Sequence, residues 1–287
     1  MPGEPLTGSA APGKLAAMAT LPSPESLAQA VEFTEAAAYV DMFAAAPREL
    51  GFEVEESDQG ILLLAPRFDV LMLNRAMAVG MQAPASERFA QSVVDRYRSA
   101  KVKNFGVQAS PHARPDELDD WFGAAGLDIR DYWSKVFRTP DPEPAVATDL
   151  RIERIGSRLA DCFAEVACAG FGMPDALRPV MAGPVGRRDW HHYIAWEGDV
   201  AAAVAALFVC DSVGWLGVAA TLPAYRRRGG QGALMARRIK DGLGLGCRLF
   251  VTETGQDRPD KPNPSFHNML RTGFVVAYHR PNYMLPA

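Results

Sequence analysis

No two cysteines in this 287-residue chain stand in a CxxC spacing, and none of the four (Cys162, Cys168, Cys210, Cys247) has zinc-ligand spacing to a histidine. This sets aside a structural zinc. The cysteines read as small buried residues in a reducing compartment, so no metal and a cytoplasmic location are expected. No apolar run approaches the roughly 20 residues needed to cross a bilayer. The longest, Val200 to Cys210, is about strand length, and no membrane partner is expected. Basic charge is not in excess either. A net charge of −4 argues against a nucleic-acid partner, whose phosphates call for a broad basic surface. Residues 1–26 lack the continuous apolar core of a signal peptide, and their Ala, Pro, Ser and Gly read as a flexible tail.

What is present is an ordinary globular composition, 48% apolar and 22% charged. "RTPDPEPAVATD" (Arg138 to Asp149) has three prolines and no apolar periodicity, and divides the chain. The expected organisation is a first domain over 27–138, a linker over 139–148 and a second domain over 149–287.

In the first half, "GILLLAP", "DVLMLNRAMAVG", "NFGVQA" and "YWSKVF" read as strands. Helices are expected at "ASERFAQSVVDRYRSA" and "RPDELDDWFGAAG". In the second half the order is a strand ("LRIERI"), one or two helices over 157–181, a hairpin turning at Glu197-Gly198-Asp199, and a third strand ("VGWLGVAATL"). A glycine turn, a helix, the strand "CRLFVTET", a short helix over Ser265 to Arg271 and the strand "FVVAYHR" complete it. The first half echoes the tail of that order.

The glycine turn, "PAYRRRGGQGALMARR", sets Arg226, Arg227 and Arg228 against Gly229 and Gly230 at the head of a helix. Free backbone N–H groups, the positive end of the helix dipole and adjacent guanidinium forks together suit a pyrophosphate. A nucleotide-triphosphate loop would need Lys-Ser/Thr after the glycines, where Ala233 and Leu234 stand. A dinucleotide fold gains from Gly230-x-Gly232 and from Glu253 about 20 residues on. It loses because Leu222 to Arg228 intervene between strand and glycine, and because too little chain follows Glu253 for a doubly wound sheet.

"TLPAYRRRGGQGALMARRI" resembles the acetyl-CoA loop of the GNAT acyltransferase superfamily, whose signature is Arg/Gln-x-x-Gly-x-Gly/Ala leading from a strand into a helix. It maps onto Arg226 through Gln231, with Gln231 where the family has Gly or Ala, and Gly232 directly after. The resemblance covers most of the second half. The first half is similar in element order but carries "NRAMAVGMQAPASE" where the arginine–glycine loop should be. It implies an α/β fold of two GNAT-like halves, each a twisted mixed sheet flanked by helices, with one working acetyl-CoA site. The implied cofactor residues are Ala219 and Thr221 along the pantetheine arm, Arg226, Arg227, Arg228, Gly229, Gly230, Gln231, Gly232 and Ala233 at the pyrophosphate, and Ser265 and Asn268 on the last cofactor-side helix. A cap is an equally good account of Ser265.

Transfer to an amine needs the amine neutral and a proton for the leaving thiolate. Many members of the superfamily use a tyrosine a few residues before the closing Gly-Phe, and Met269 stands at that position here. Candidate replacement donors are Tyr278, Tyr283 and His279; candidate bases are Glu253, His191 and His192. The function expected is an acetyl-CoA-dependent N-acyltransferase acting on a small-molecule or peptide amine, as a monomer or homodimer. The rivals are a non-catalytic acyl-CoA-binding or regulatory module and, more distantly, a dinucleotide enzyme.

Overall fold

The computed structural model describes residues 22–286, and within them a single mixed sheet carries both halves. The first half contributes α1 (Pro24–Ala45), β1 (Glu53–Ser57), β2 (Gly60–Leu64), β3 (Arg75–Met77), α2 (Glu87–Ser99), β4 (Gly106–Gln108), α3 (Leu118–Ala124) and β5 (Asp128–Arg138). The second contributes β6 (Arg151–Ile155), α4 (Ala160–Phe171), α5 (Arg178–Ala182), β7 (Trp190–Glu197), β8 (Val200–Cys210), β9 (Val213–Thr221), α6 (Gly230–Gly244), β10 (Leu249–Gly255), α7 (Pro264–Arg271) and β11 (Val275–Met284). No helix among the described residues is long and apolar enough to cross a membrane.

The strand order is β1-β2-β3-β4-β11-β5-β10-β9-β8-β7-β6. Among the described residues only β3–β4 and β9–β10 pair in parallel, each the second pairing outward from the central β11–β5 pair, so the sheet reads alike from its centre. The α/β class and the two similar halves are as expected, with one refinement. Neither half closes on its own last strand. β5 leaves the first half and pairs antiparallel with β10, from Phe250↔Arg138 to Gly255↔Trp133, while β11 crosses to β4. The two exchanged strands pair with each other at the centre, Val275↔Phe137 through Met284↔Asp128. The two expected sheets are therefore joined into one.

α1 is absent from the sequence reading, and the tail expected over 1–26 overlaps it at residues 24–26; residues 1–21 lie outside the described residues. Its start is well specified. The Ser23 hydroxyl accepts the Ser26 N–H, and Pro24 follows the cap where its missing N–H costs nothing. Its buried face is mixed. Ala28, Val31, Tyr39, Met42 and Phe43 lie beside Glu32 and Glu35, both fully buried.

Those two carboxylates meet cations from three central strands. Arg280 of β11 bonds Glu32 at 2.8 Å and Glu35 at 2.9 Å. It also donates to Glu253 of β10 at 2.7 Å. Lys135 of β5 bonds Glu35 and reaches Glu253 at 2.7 Å. Arg75 of β3 lies 3.5 Å from Glu35 and 3.6 Å from Glu253, with its guanidinium 4.2 Å over the Tyr39 ring. Three acids balance three bases. Burial by itself would raise the Glu35 carboxyl, but Arg280, Lys135 and Arg75 outweigh it and hold that group well below the usual carboxylate range.

Removing one member of such a cluster strands a buried charge. Arg280→Met should destabilise the chain by roughly 3–5 kcal/mol in denaturant titration. Arg151→Met, which breaks an exposed pair with Glu153 and lifts the guanidinium off the Trp196 ring (5.4 Å), should cost only about 1 kcal/mol. Equal effects would show that the cluster does not hold the halves together.

Candidate active site

The site begins where β9 and β10 part. Their parallel pairing covers Leu249↔Val213, Phe250↔Gly214 and Val251↔Trp215, and then stops. Beyond that vertex β10 stays paired to β5, while β9 runs on to Thr221 beside β8, leaving a V-shaped opening. Thr252 Oγ1 donates to the Leu216 carbonyl at 2.6 Å just above the vertex. A bulge at Val218 (φ 47°) and Ala219 bends β9 away, visible as the register shift opposite Val204 and Ala206.

Two α6 side chains secure the bent strand. Buried Arg238 donates to the carbonyls of Ala206 (2.9 Å) and Gly217 (3.3 Å), and burial without an acid lowers its guanidinium to about 9. Gln231 Nε2 donates to the Ala220 carbonyl and to Thr221 Oγ1, both at 2.9 Å. The departure of Gln231 from the family signature thus has a local role, fastening the strand end to the helix.

The turn from β9 to α6 presents an uninterrupted row of donors. The Ala233 N–H closes the first helical turn onto the Gly229 carbonyl at 3.0 Å. Before it, the N–H groups of Arg227, Arg228, Gly229, Gly230, Gln231 and Gly232 meet no protein acceptor among the described residues. Arg227 (φ 64°) and Gly229 (φ 75°) both lie in the left-handed region, the kind of backbone that turns successive N–H groups into one concavity. α6 has fifteen residues, and its dipole adds positive potential at the same end.

The bare sides of the glycines also have a packing role. A Cβ at Gly229 would lie 2.7 Å from the Ala147 carbonyl oxygen. One at Gly230 would meet Leu150 Cδ1 at 2.9 Å, and one at Gly232 would meet Val146 Cγ1 at 2.9 Å. Their bare sides admit the linker and the approach to β6, which pack the turn from behind. Arg228 is already paired within the protein. Its guanidinium is held by Asp149 and Glu197, and Thr148 Oγ1 donates to its carbonyl at 2.9 Å. Arg226 and Arg227 remain exposed.

The corresponding first-half turn is closed. Gly80 N–H donates to the Gln59 carbonyl, Met81 to Ala78, Ala83 to Asp58 and Ala85 to Arg114. Ser86 N–H meets Gln59 Oε1 at 2.8 Å, and Pro84 has no N–H to offer. Arg114 presses its backbone on Gly80 (φ 68°) where a Cβ would stand, and Arg114 N–H bonds the Gly80 carbonyl at 3.0 Å. The segment after β4 therefore occupies the space that stays open beside β10.

The catalytic candidates are dispersed. Glu253 stands two residues past the vertex, and its side chain is 10% exposed where Glu32, Glu35, Arg75, Lys135 and Arg280 are at 0–1%. Burial and then the Glu35 charge raise its carboxyl against the pull of Lys135 and Arg280. Tyr278 is buried and donates to Glu32 Oε1 at 2.7 Å; burial and that carboxylate push its phenol well above the ordinary value. Tyr283 belongs to the part of β11 lodged against β4, where its hydroxyl meets Asp119 and its ring meets Phe122 of α3. Strand exchange has carried it into the first half.

His191 pairs with Arg154 at 2.6 Å, while burial and then His191 lower the His192 imidazole to about 3 between Phe163 and Trp190. His279 Nδ1 shares a hydrogen bond with Ser134 at 3.1 Å. Met269 is the buried residue of α7 and lies in one core cluster with Leu234, Met235 and Ile239 of α6. The α7 cap is Asn263, whose Oδ1 accepts the Ser265 and Phe266 N–H groups, so Ser265 is exposed in the first turn and caps nothing. Asn268 Oδ1 accepts from Arg271 at 2.6 Å. The sequence reading missed Arg238, Gln231 as a side-chain tether, and Trp215 at the vertex. Only the arginine on the apolar side of α6 carried a visible signal.

No protein-family model and no curated protein sequence matches the chain. Solved structures do. A GCN5-related N-acetyltransferase from Kribbella flavida aligns over 88% of this chain and 94% of its own, with 16% identity and a TM-score of 0.62. One from Sphaerobacter thermophilus aligns over 80% and 81%, with 12% identity and a TM-score of 0.57. A tandem GNAT protein from the clavulanic acid biosynthesis pathway aligns over 78% and 77%, with 17% identity and a TM-score of 0.53. The chain therefore has the fold of the GNAT acetyltransferases, in the tandem arrangement.

Proposed function

We propose that the second half binds acetyl-CoA at the opening between β9 and β10 and transfers the acetyl group to an amine. The observation that carries this reading is the row of six unpartnered backbone N–H groups from Arg227 to Gly232, set at the head of α6 and at the far end of the opening. Such donors suit a pyrophosphate. Exposed Arg226 and Arg227 add charge beside them. From the vertex at Trp215 to Thr221 the free edge of β9 runs about 20 Å at roughly 3.3 Å per residue, a length suited to an extended pantetheine arm. Ala219 and Thr221 lie along that edge, and Ser265 and Asn268 belong to α7, the following helix.

When bound, the cofactor supplies an activated acyl thioester. The chain's own residues orient it and handle protons. The acceptor must arrive as, or become, a neutral amine; a C–N bond forms, the C–S bond breaks, and one proton is left over. Glu253 is the carboxylate at the opening, and its raised affinity for a proton suits it to receive one. The side chains around it come from both halves: Tyr39, Arg75 and Lys135 from the first, Trp215 from the second. The acceptor side of the opening is therefore a shared wall. The acceptor is a small-molecule or peptide amine, and the compartment a cytoplasmic one.

A non-catalytic acyl-CoA-binding module is favoured by one pair of observations: Met269 replaces the expected tyrosine, and Glu253 is held by Lys135 and Arg280. Incubation with acetyl-CoA and a mixed amine panel, read by product mass, separates the two readings.

Gly230 is a poor place to test the loop, because a side chain there strikes Leu150. Arg226→Glu with Arg227→Glu changes only exposed residues. It should weaken acetyl-CoA binding by about tenfold or more with little change in Tm. Unchanged affinity in the folded double variant contradicts the loop assignment. Titration calorimetry should give one CoA per chain, since Gly80, Met81, Ala83, Ala85 and Ser86 already spend their N–H groups within the protein. A stoichiometry of two would show that the turn at Gly80 opens.

A further inference from the structure

Trp215 occupies the vertex of the opening, at the last position where β9 and β10 pair. Its side chain does not stand upright on the sheet. The six-membered ring lies along the strand, over Gly217, and fills the space that a Cβ at 217 would take. Residues 215 and 217 share a face of the strand, so this folding is possible only because position 217 is glycine. The indole thus covers the backbone at the start of the opening, on the side where Glu253 and α1 lie.

Three neighbours hold it in that pose. Tyr39 of α1 meets it edge-on with ring centroids 5.6 Å apart, and Trp190 of β7 does so at 6.2 Å. Phe208 stands directly across on β8. The ring is 3% exposed, yet its Nε1–H has no acceptor among the described residues. A buried donor without a partner costs free energy that a bound polar group recovers.

Resting on the acyltransferase reading above, we infer that Trp215 sets the acyl group this protein accepts: the indole laid over Gly217 closes the vertex to chains longer than acetyl. A thioester carried along β9 from the turn at Arg227 to Gly232 ends at this vertex. There the next methylene of a longer acyl chain meets an aromatic plane braced by Tyr39 and Trp190. The brace from Tyr39 makes the filter depend on the first half, because α1 supplies it.

The test compares binding and turnover of CoA, acetyl-CoA, propionyl-CoA and butyryl-CoA in the full chain, with binding read by calorimetry and by tryptophan fluorescence. Wild type should bind CoA and acetyl-CoA and discriminate against the longer thioesters. Trp215→Leu should raise the propionyl-to-acetyl ratio of affinity and of kcat/KM by roughly tenfold or more, the range one methylene commands in a shaped pocket. Trp215→Phe keeps an aromatic ring against Tyr39 and Trp190 and guards against loss of the fold; it should shift the ratio in the same direction by less. Failure of wild type to bind CoA itself overturns the acyltransferase reading. Normal CoA binding with acyl-length ratios unmoved in both folded variants overturns the role of Trp215 alone.

Discussion

Six charged side chains buried under α1 determine how the two halves can be joined. Glu32 and Glu35 come from the helix, Arg75 from β3, Lys135 from β5, Glu253 from β10 and Arg280 from β11. Each would cost several kcal/mol if buried without its partners. Suppose β5 returned to its own half. Lys135 would then stand one strand further from β10 and lose its contact with Glu253, while Arg280 on β11 would move beside β10. The cluster thus ties both exchanged strands to α1 and to β10, and it spans the join between the halves.

That constraint shapes the site. Because β5 supports β10 from the first half, β10 stays in the sheet after β9 has left it, and the opening has a firm second edge. α1, held down by the cluster and by Asp41 bonds to Arg187 and Trp190, brings Tyr39 to the vertex. The linker packs behind the glycine turn, so the turn's donors face outward as a group. The first half has the same strand order but has used most of the donors of its turn internally, with Arg114 against Gly80.

Much of this was legible in the sequence. The strand order of the second half, its helices and the special character of Arg226 to Gly232 follow from apolar period and from glycine beside arginine. The remainder was hidden for identifiable reasons. α1 carries Glu32 and Glu35 on its buried face, so its apolar stripe is interrupted where it meets the sheet. β5 looks the same whether it closes its own half or crosses, since a strand's side-chain alternation carries no record of its neighbour. The glycines mark a close approach, but nothing in the sequence says that the linker packs there; Val146 and Ala147 lie in a stretch without periodicity, and Leu150 just follows it. Arg228 could not be told from Arg226 and Arg227 until Asp149 and Glu197 were seen beside it.

The central claim is that the donors of residues 227–232 are kept for an anionic cofactor while those of the first-half turn are not. Amide hydrogen exchange with and without CoA reads both turns in one sample. The account predicts new protection at residues 227–232 on adding CoA and no change over residues 78–86. Protection of the first-half turn, or none at residues 227–232 at saturating CoA, would contradict it.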